Sequence, residues 1–157
     1  MKATGRLRLV VRSPEGEVMA ERSSRNTVLR QGALIVAQLF AGQDEAAAID
    51  RVAVGFGQVA ADIEAAGLTP PPGGGIPPDA LIADLQADSV TVAADRPTAI
   101  VVSIAARFTP PVELPDVTEA GLLAGDRLYN QVVFEPVTLR PGQEVTFFWD
   151  VEFPFGH

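Results

Sequence analysis

The chain contains no cysteine, and its single histidine is the last of 157 residues. The first absence removes disulfides and thiolate metal ligation. The second leaves any serine or threonine nucleophile without its usual base, so catalysis is not expected. Aromatic residues are sparse at 6%, with one Trp and one Tyr, which leaves little for a surface that works by stacking. No window approaches the run of about eighteen apolar residues that a membrane-spanning helix needs. The opening Met1-Lys-Ala-Thr-Gly-Arg6 also lacks the apolar core of a signal peptide, so synthesis in the cytoplasm is expected.

What is present is ordinary globular composition, 47% apolar and 20% charged, at a length that suits one domain over residues 1–157. The net charge of −8 is unevenly distributed. Residues 1–30 carry seven Lys/Arg against three Glu, whereas the remainder carries five Arg against seventeen acids. Such an acidic chain repels nucleic acid and anionic membrane. Its segregated charge suits head-to-tail contact between copies or contact with an acidic neighbour.

Strand periodicity dominates. In residues 5–12, Leu7, Leu9 and Val11 alternate with Arg6, Arg8 and Arg12, with Val10 among the arginines. Ser13-Pro-Glu-Gly16 is turn chemistry, and Glu17–Arg22 returns, giving a hairpin over 4–23. Asn26 or Thr27 is a helix cap for residues 27–41, a segment apolar nearly all round and stopped by Gly42. That composition predicts a helix buried between protein surfaces. Ile49–Phe56 reads as a strand with Val52, Val54 and Phe56 on one side. Residues 57–79, containing Leu68-Thr-Pro-Pro-Pro-Gly-Gly-Gly-Ile-Pro-Pro78, can supply neither helix nor ladder and read as a long mobile loop. Asp79–Gln86 suggests a short helix capped by Asp79. Strands follow across 88–154, at 89–93, at 98–108 and in three terminal segments. In the last, Val145, Phe147, Trp149, Val151 and Phe153 alternate with polar residues, and Phe148 falls on the polar side. The reading is mainly β: an antiparallel sandwich of about eight strands with one buried helix.

Several features occur in an order that has a counterpart. An Asn precedes a helical stretch ending in a small-residue turn, here Asn26 to Gly42. Val52-Ala-Val-Gly-Phe-Gly57 follows, then a Pro/Asp-rich loop leading to Leu81 and Leu85. The close is Thr118-Glu-Ala-Gly-Leu122, then Tyr129-Asn-Gln-Val-Val-Phe-Glu-Pro136, then a strand around Trp149. Over residues 26–153 the chain resembles a domain found in structural proteins of bacteriophage tails, tail fibres and phage-like contractile injection particles. The resemblance implies a baseplate, fibre-attachment or tail-end component, a viral or virus-derived structural protein. It would be made in the bacterial cytoplasm, assembled into a tail or tail-like particle with other particle proteins, and act as a homo-oligomer or ring-bound subunit. Within the motifs, Gly121 suits a close approach of neighbouring chain, Asn130 a buried hydrogen-bonding role or a bulge, and Pro136 an edge or the end of a ladder.

Sharper chemical readings each have a plainer rival. Asp150 and Glu152 share one face of a strand, as a paired-carboxylate site requires, but a solvated outer face has the same pattern. Glu113, Asp116 and Glu119 offer oxygen ligands without the spacing of a calcium loop. Gly55-Phe-Gly57 lacks the third glycine and the helix of a dinucleotide site. No metal, cofactor or catalytic residue is assigned. The contact elements expected are Arg6, Arg8, Arg12, the outward ring of Phe148, and the loop residues Leu68, Pro70, Pro71, Pro72 and Ile76. The alternative function is a receptor- or glycan-binding sandwich at a tail tip.

Overall fold

The computed structural model describes residues 4–57 and 61–156. Two antiparallel sheets face each other. The first takes the order β2 (Val18–Arg25), β1 (Thr4–Arg12), β11 (Glu144–Pro154), β7 (Ala99–Phe108), β6 (Val90–Ala93). The second takes the order β3 (Thr27–Val28), β10 (Asn130–Leu139), β8 (Leu114–Ala124), β4 (Arg51–Gly55), β5 (Ile82–Asp84), with the two-residue β9 (Arg127–Leu128) paired to β8. The sandwich is the architecture that the alternating patterns predict, with very short strands added to the long ones.

Period-two alternation supplies the core directly. Leu7, Leu9 and Val11 from β1 meet Val145, Phe147 and Trp149 from β11 on the inner face of the first sheet. Val52 and Val54 of β4, with Ala120 and Leu122 of β8, close over them from the second. Phe147 stacks on Trp149 with ring centres 5.6 Å apart and meets Phe108 edge-on at 6.3 Å, the two geometries that aromatic quadrupoles favour. On the β2 side the sheets are tied together by Arg22, whose guanidinium donates to the carbonyls of Glu135 and Pro136 at 3.0 and 2.7 Å. Pro136 lies where the β10–β8 register breaks between Val133 and Val137, so its missing N–H disrupts no ladder bond there.

The helix departs from its expected form. α1 spans Arg30–Ala41, and Leu29, not Asn26 or Thr27, occupies the N-cap position without a side-chain bond. Thr27 and Val28 are instead drawn into the sheet opposite Gln131 and Asn130. Nor is α1 buried throughout: Gly32 and Ile35 are covered, whereas Leu34, Val36, Leu39 and Phe40 are exposed. A tertiary pairing overrides the local capping signal, and only one face of the apolar helix finds protein to pack on. The C-terminus follows expectation, with Gly42 left-handed at φ 70° and its N–H returned to Leu39.

A second correction concerns Asp79–Gln86. The described structure has one 3-10 turn, Pro78–Leu81, with Asp79 inside it, and then strand β5. Pairing of Ile82, Ala83 and Asp84 with β4 takes the segment away from a helix. Of the loop over 57–79, residues 58–60 lie outside the described residues. Its described part is anchored: Phe56 N–H donates to the Thr69 carbonyl at 3.0 Å, Arg30 N–H to the Ile63 carbonyl at 2.9 Å, Ile76 packs against the core, and Leu68 packs against the separate cluster of Leu29, Ala53, Leu123 and Leu128. Among the described residues no helix is long and apolar enough to cross a membrane.

Candidate functional site

Outward-facing residues of the first sheet assemble one concave surface. The hairpin register sets Arg6 opposite Arg25 and Arg8 opposite Ser23, and the β1–β11 register sets Arg6 opposite Asp150 and Arg8 opposite Phe148. These side chains lie together because pairing in a sheet places partners on the same face. They line a shallow pocket of about 530 Å³. Phe148 is 41% exposed, a large share for a ring, and the Arg8 guanidinium sits 5.3 Å from its centroid.

The charges in this pocket are unevenly satisfied. Arg8 donates to Glu21 at 2.7 Å, and Asp150 accepts from the Ser103 hydroxyl at 2.7 Å. Arg6 and Arg25 form no ion pair or side-chain hydrogen bond among the described residues. Two like charges directly opposite across an antiparallel pair are unfavourable unless an anion lies between or beside them. Asp150, opposite Arg6, supplies one carboxylate to this lining, and the three arginines leave the pocket positive on balance next to an apolar ring.

The remaining expected contact residues fall elsewhere. Arg12 is beyond a register shift between Val11 and Arg12, and its guanidinium donates to the Gly16 carbonyl at 3.0 Å, so it braces its own turn. Pro70 and Pro72 are exposed and Pro71 is half-buried, while Ile76 packs against the core and Leu68 against the separate Leu29 cluster. The loop belongs to the second sheet and does not meet the arginine pocket. Arg25 was missed by sequence reasoning because it lies past the expected end of the hairpin; its place opposite Arg6 needs the longer β2.

The second sheet's outer surface holds a different polar group. Glu119 is fully buried, accepting from Thr69 N–H at 2.5 Å and from the Gln131 amide at 2.7 Å. Gln131 in turn accepts from Asp62 N–H at 3.1 Å. Asn130, also fully buried but on the other side of the strand with Val132, accepts from Leu122 N–H at 2.7 Å and donates to Asn26. The Glu119 and Gln131 contacts staple the loop to the sheet, and a Cβ on Gly55 or Gly57 would collide with the Glu119 carboxyl group. Glu113 binds Arg140 at 3.1 Å and Asp116 lies at φ 55°, so neither joins Glu119. No cluster of three or more His, Asp or Glu side chains that could hold a metal occurs among the described residues. Glu152 pairs with Arg96 at 2.9 Å, away from Asp150's partner Ser103.

A third feature is the outer side of α1. Leu29 packs with Ala53, Leu123 and Leu128, residues that alternate with the core positions Val52, Val54 and Leu122 and so lie on the outside of the second sheet. A Cβ on Gly32 would run into the Tyr129 carbonyl, which shows how closely the helix sits there. Leu34, Val36 and Phe40 remain uncovered, Phe40 at 95% exposure. Compared with known proteins, the chain matches no family model, no curated protein and no solved structure.

Proposed function

We propose that the chain is a structural subunit of a bacteriophage tail or phage-like contractile injection particle, acting at the baseplate, at a fibre attachment or at the tail end. The observation that carries this reading is the pair of unsatisfied surfaces on a well-packed sandwich: the arginine pocket beside Phe148 and the bare apolar side of α1. Contiguous exposed apolar surface and unpaired charge are what a subunit presents before its neighbours arrive. The order of motifs from Asn26 to Trp149 supports the particular kind of assembly. The chain would be made in the bacterial cytoplasm and built into the particle there, contacting other particle proteins.

The test is fractionation of the native host. Cells are lysed, high-mass particles are pelleted, and the chain is sought by mass spectrometry beside negative-stain images. Recovery with tubular or sheathed particles is the expected outcome. Absence from every high-mass fraction would overturn the reading. A second reading, a receptor- or glycan-binding module at a tail tip, draws on the exposed Phe148 ring beside arginines. It requires the isolated chain to bind surface polysaccharide from the target cell, and loss of that binding in Phe148→Ser.

A further inference from the structure

The two unsatisfied surfaces lie on opposite outer sides of the sandwich and differ in charge. The pocket on the first sheet offers Arg6 and Arg25 beside the half-open ring of Phe148, with Arg8 held by Glu21 and the single carboxylate of Asp150 opposite Arg6. On the outside of the second sheet, α1 ends in the nearly fully exposed Phe40 and continues into the exposed Asp44 and Glu45. Neither of these carboxylates forms an ion pair among the described residues. One surface is thus a basic recess with a ring on its wall, and the other is an acidic projection with a ring beside it.

We infer that the occupant of the arginine pocket is the C-terminal end of α1 from a second copy of this chain, so that copies join head to tail. This rests on the assembly reading above and names its contact. Asp44 and Glu45 of one copy would meet Arg6 and Arg25 of the next, and Phe40 would cover Phe148. Three arguments favour a copy over another partner. Charge is complementary between the two surfaces of one sequence, the basic surface lying in the +4 segment of residues 1–30 and the acidic one in the −12 remainder. Both surfaces place an exposed phenylalanine next to the charges, so the apolar parts would be buried together. Their placement on opposite sides leaves each copy free to use both at once, as a heterologous interface that closes a ring or extends a filament demands. The net charge of −8 does not forbid this, because at physiological salt charges beyond about 8 Å are screened and the contacting pairs decide.

The experiment uses the full chain and reads its mass by sedimentation velocity and light scattering, from low to high salt. Three proteins are compared: wild type, the double variant Arg6→Glu/Arg25→Glu, and the double variant Asp44→Arg/Glu45→Arg. All four substituted positions are on the surface, and near-ultraviolet circular dichroism checks that each variant is folded. Wild type is expected to self-associate, more weakly as salt rises. Each variant alone is expected to associate at least about tenfold more weakly, since it places like charges across the contact. Mixing the two variants restores both contacts with opposite charges and is expected to restore high mass. Phe40→Ser should weaken association of the wild type in the same direction. A wild type that stays monomeric at high concentration overturns the inference, as does a charge-reversed variant that associates undiminished or a mixture that fails to recover. Particle fractionation is independent of these results: a chain found in particles but monomeric alone would keep the assembly reading and lose this contact.

Discussion

The outer faces of the two sheets are a controlled comparison within one molecule. Each carries polar residues at strand positions opposite the core. On the second sheet they are covered: Glu119 and Gln131 are buried and each finds hydrogen-bond partners, largely from the loop. On the first sheet they are left open, with Arg6 and Arg25 facing each other unpaired and Phe148 partly bare. A polar group removed from water must be satisfied inside the chain, or it costs stability. One left at the surface costs little and stays available to a partner. The covered face therefore serves the fold, and the open one is left available for the contact proposed above.

That contrast is broken most severely at Glu119. Glu119→Ala strands the Thr69 amide and the Gln131 side chain in a buried site and frees the loop over 61–69. Loss of about 2–5 kcal/mol is expected, because each of the two donors left without an acceptor costs about 1–3 kcal/mol. Urea unfolding followed by tryptophan fluorescence measures it, with Trp149 as the reporter. A loss under about 1 kcal/mol would show that the network is dispensable and the covered face no different from the open one.

Next in size is the close seating of α1. Gly32→Ala puts a methyl group into the Tyr129 carbonyl, and Gly121→Ala puts one 2.6 Å from the Asn130 carbonyl. Both carbonyls are backbone, although at Gly121 the Leu128 Cδ1 methyl also lies at 2.6 Å, so each substitution is expected to cost about 1–3 kcal/mol by forcing the backbone apart. The two should differ in reach. Gly32→Ala would raise amide exchange mainly in α1, whereas Gly121→Ala would act through the whole β8–β10 pairing.

How much of this was legible in the sequence follows from the kind of interaction involved. The alternation of Leu7, Leu9 and Val11, and of Val145 through Val151, announces the sandwich, because a half-buried strand must repeat every two residues. The outward Phe148 breaks that rhythm and was visible for the same reason. The start of α1 was not legible, since Asn26 has the chemistry of a cap but spends it on Asn130, 104 residues away. Asp79 failed similarly, because the pairing of β5 with β4 is decided by distant chain. Arg25 and the burial of Glu119 were hidden too: one depends on strand length, the other on a loop folding back 50 residues. A cap signal is local, whereas these outcomes are tertiary.

A smaller effect is expected with pH. Burial raises the Tyr129 phenol above its ordinary value of 10.0 by penalising the phenolate. The folded state therefore holds that proton more tightly than the unfolded chain. The stability it represents is complete below the unfolded value and is lost as pH rises from there through the raised folded value. Urea midpoints measured across this alkaline range should fall with pH, and Tyr129→Phe should flatten that part of the slope. An unchanged slope would place the alkaline loss on other groups.

The smallest expected effect on stability sharpens the comparison most. Arg6→Glu/Arg25→Glu changes two exposed charges on the open face: the like-charge opposition between them persists with its sign inverted, and the opposition of residue 6 to Asp150 turns from unlike to like, a solvent-screened surface term. Unfolding free energy should move by no more than about 0.5 kcal/mol, the range of surface substitutions away from special features. If instead the variant loses as much as Glu119→Ala, the arginines are part of the fold's own interior accounting and the open face is not free. If it is neutral in unfolding yet loses association, stability and assembly have been separated onto opposite sides of one sandwich. That separation has a physical basis: Glu119's partners are supplied by its own chain during folding, whereas Arg6 and Arg25 form no ion pair among the described residues and, under the proposed contact, would gain one only from another molecule.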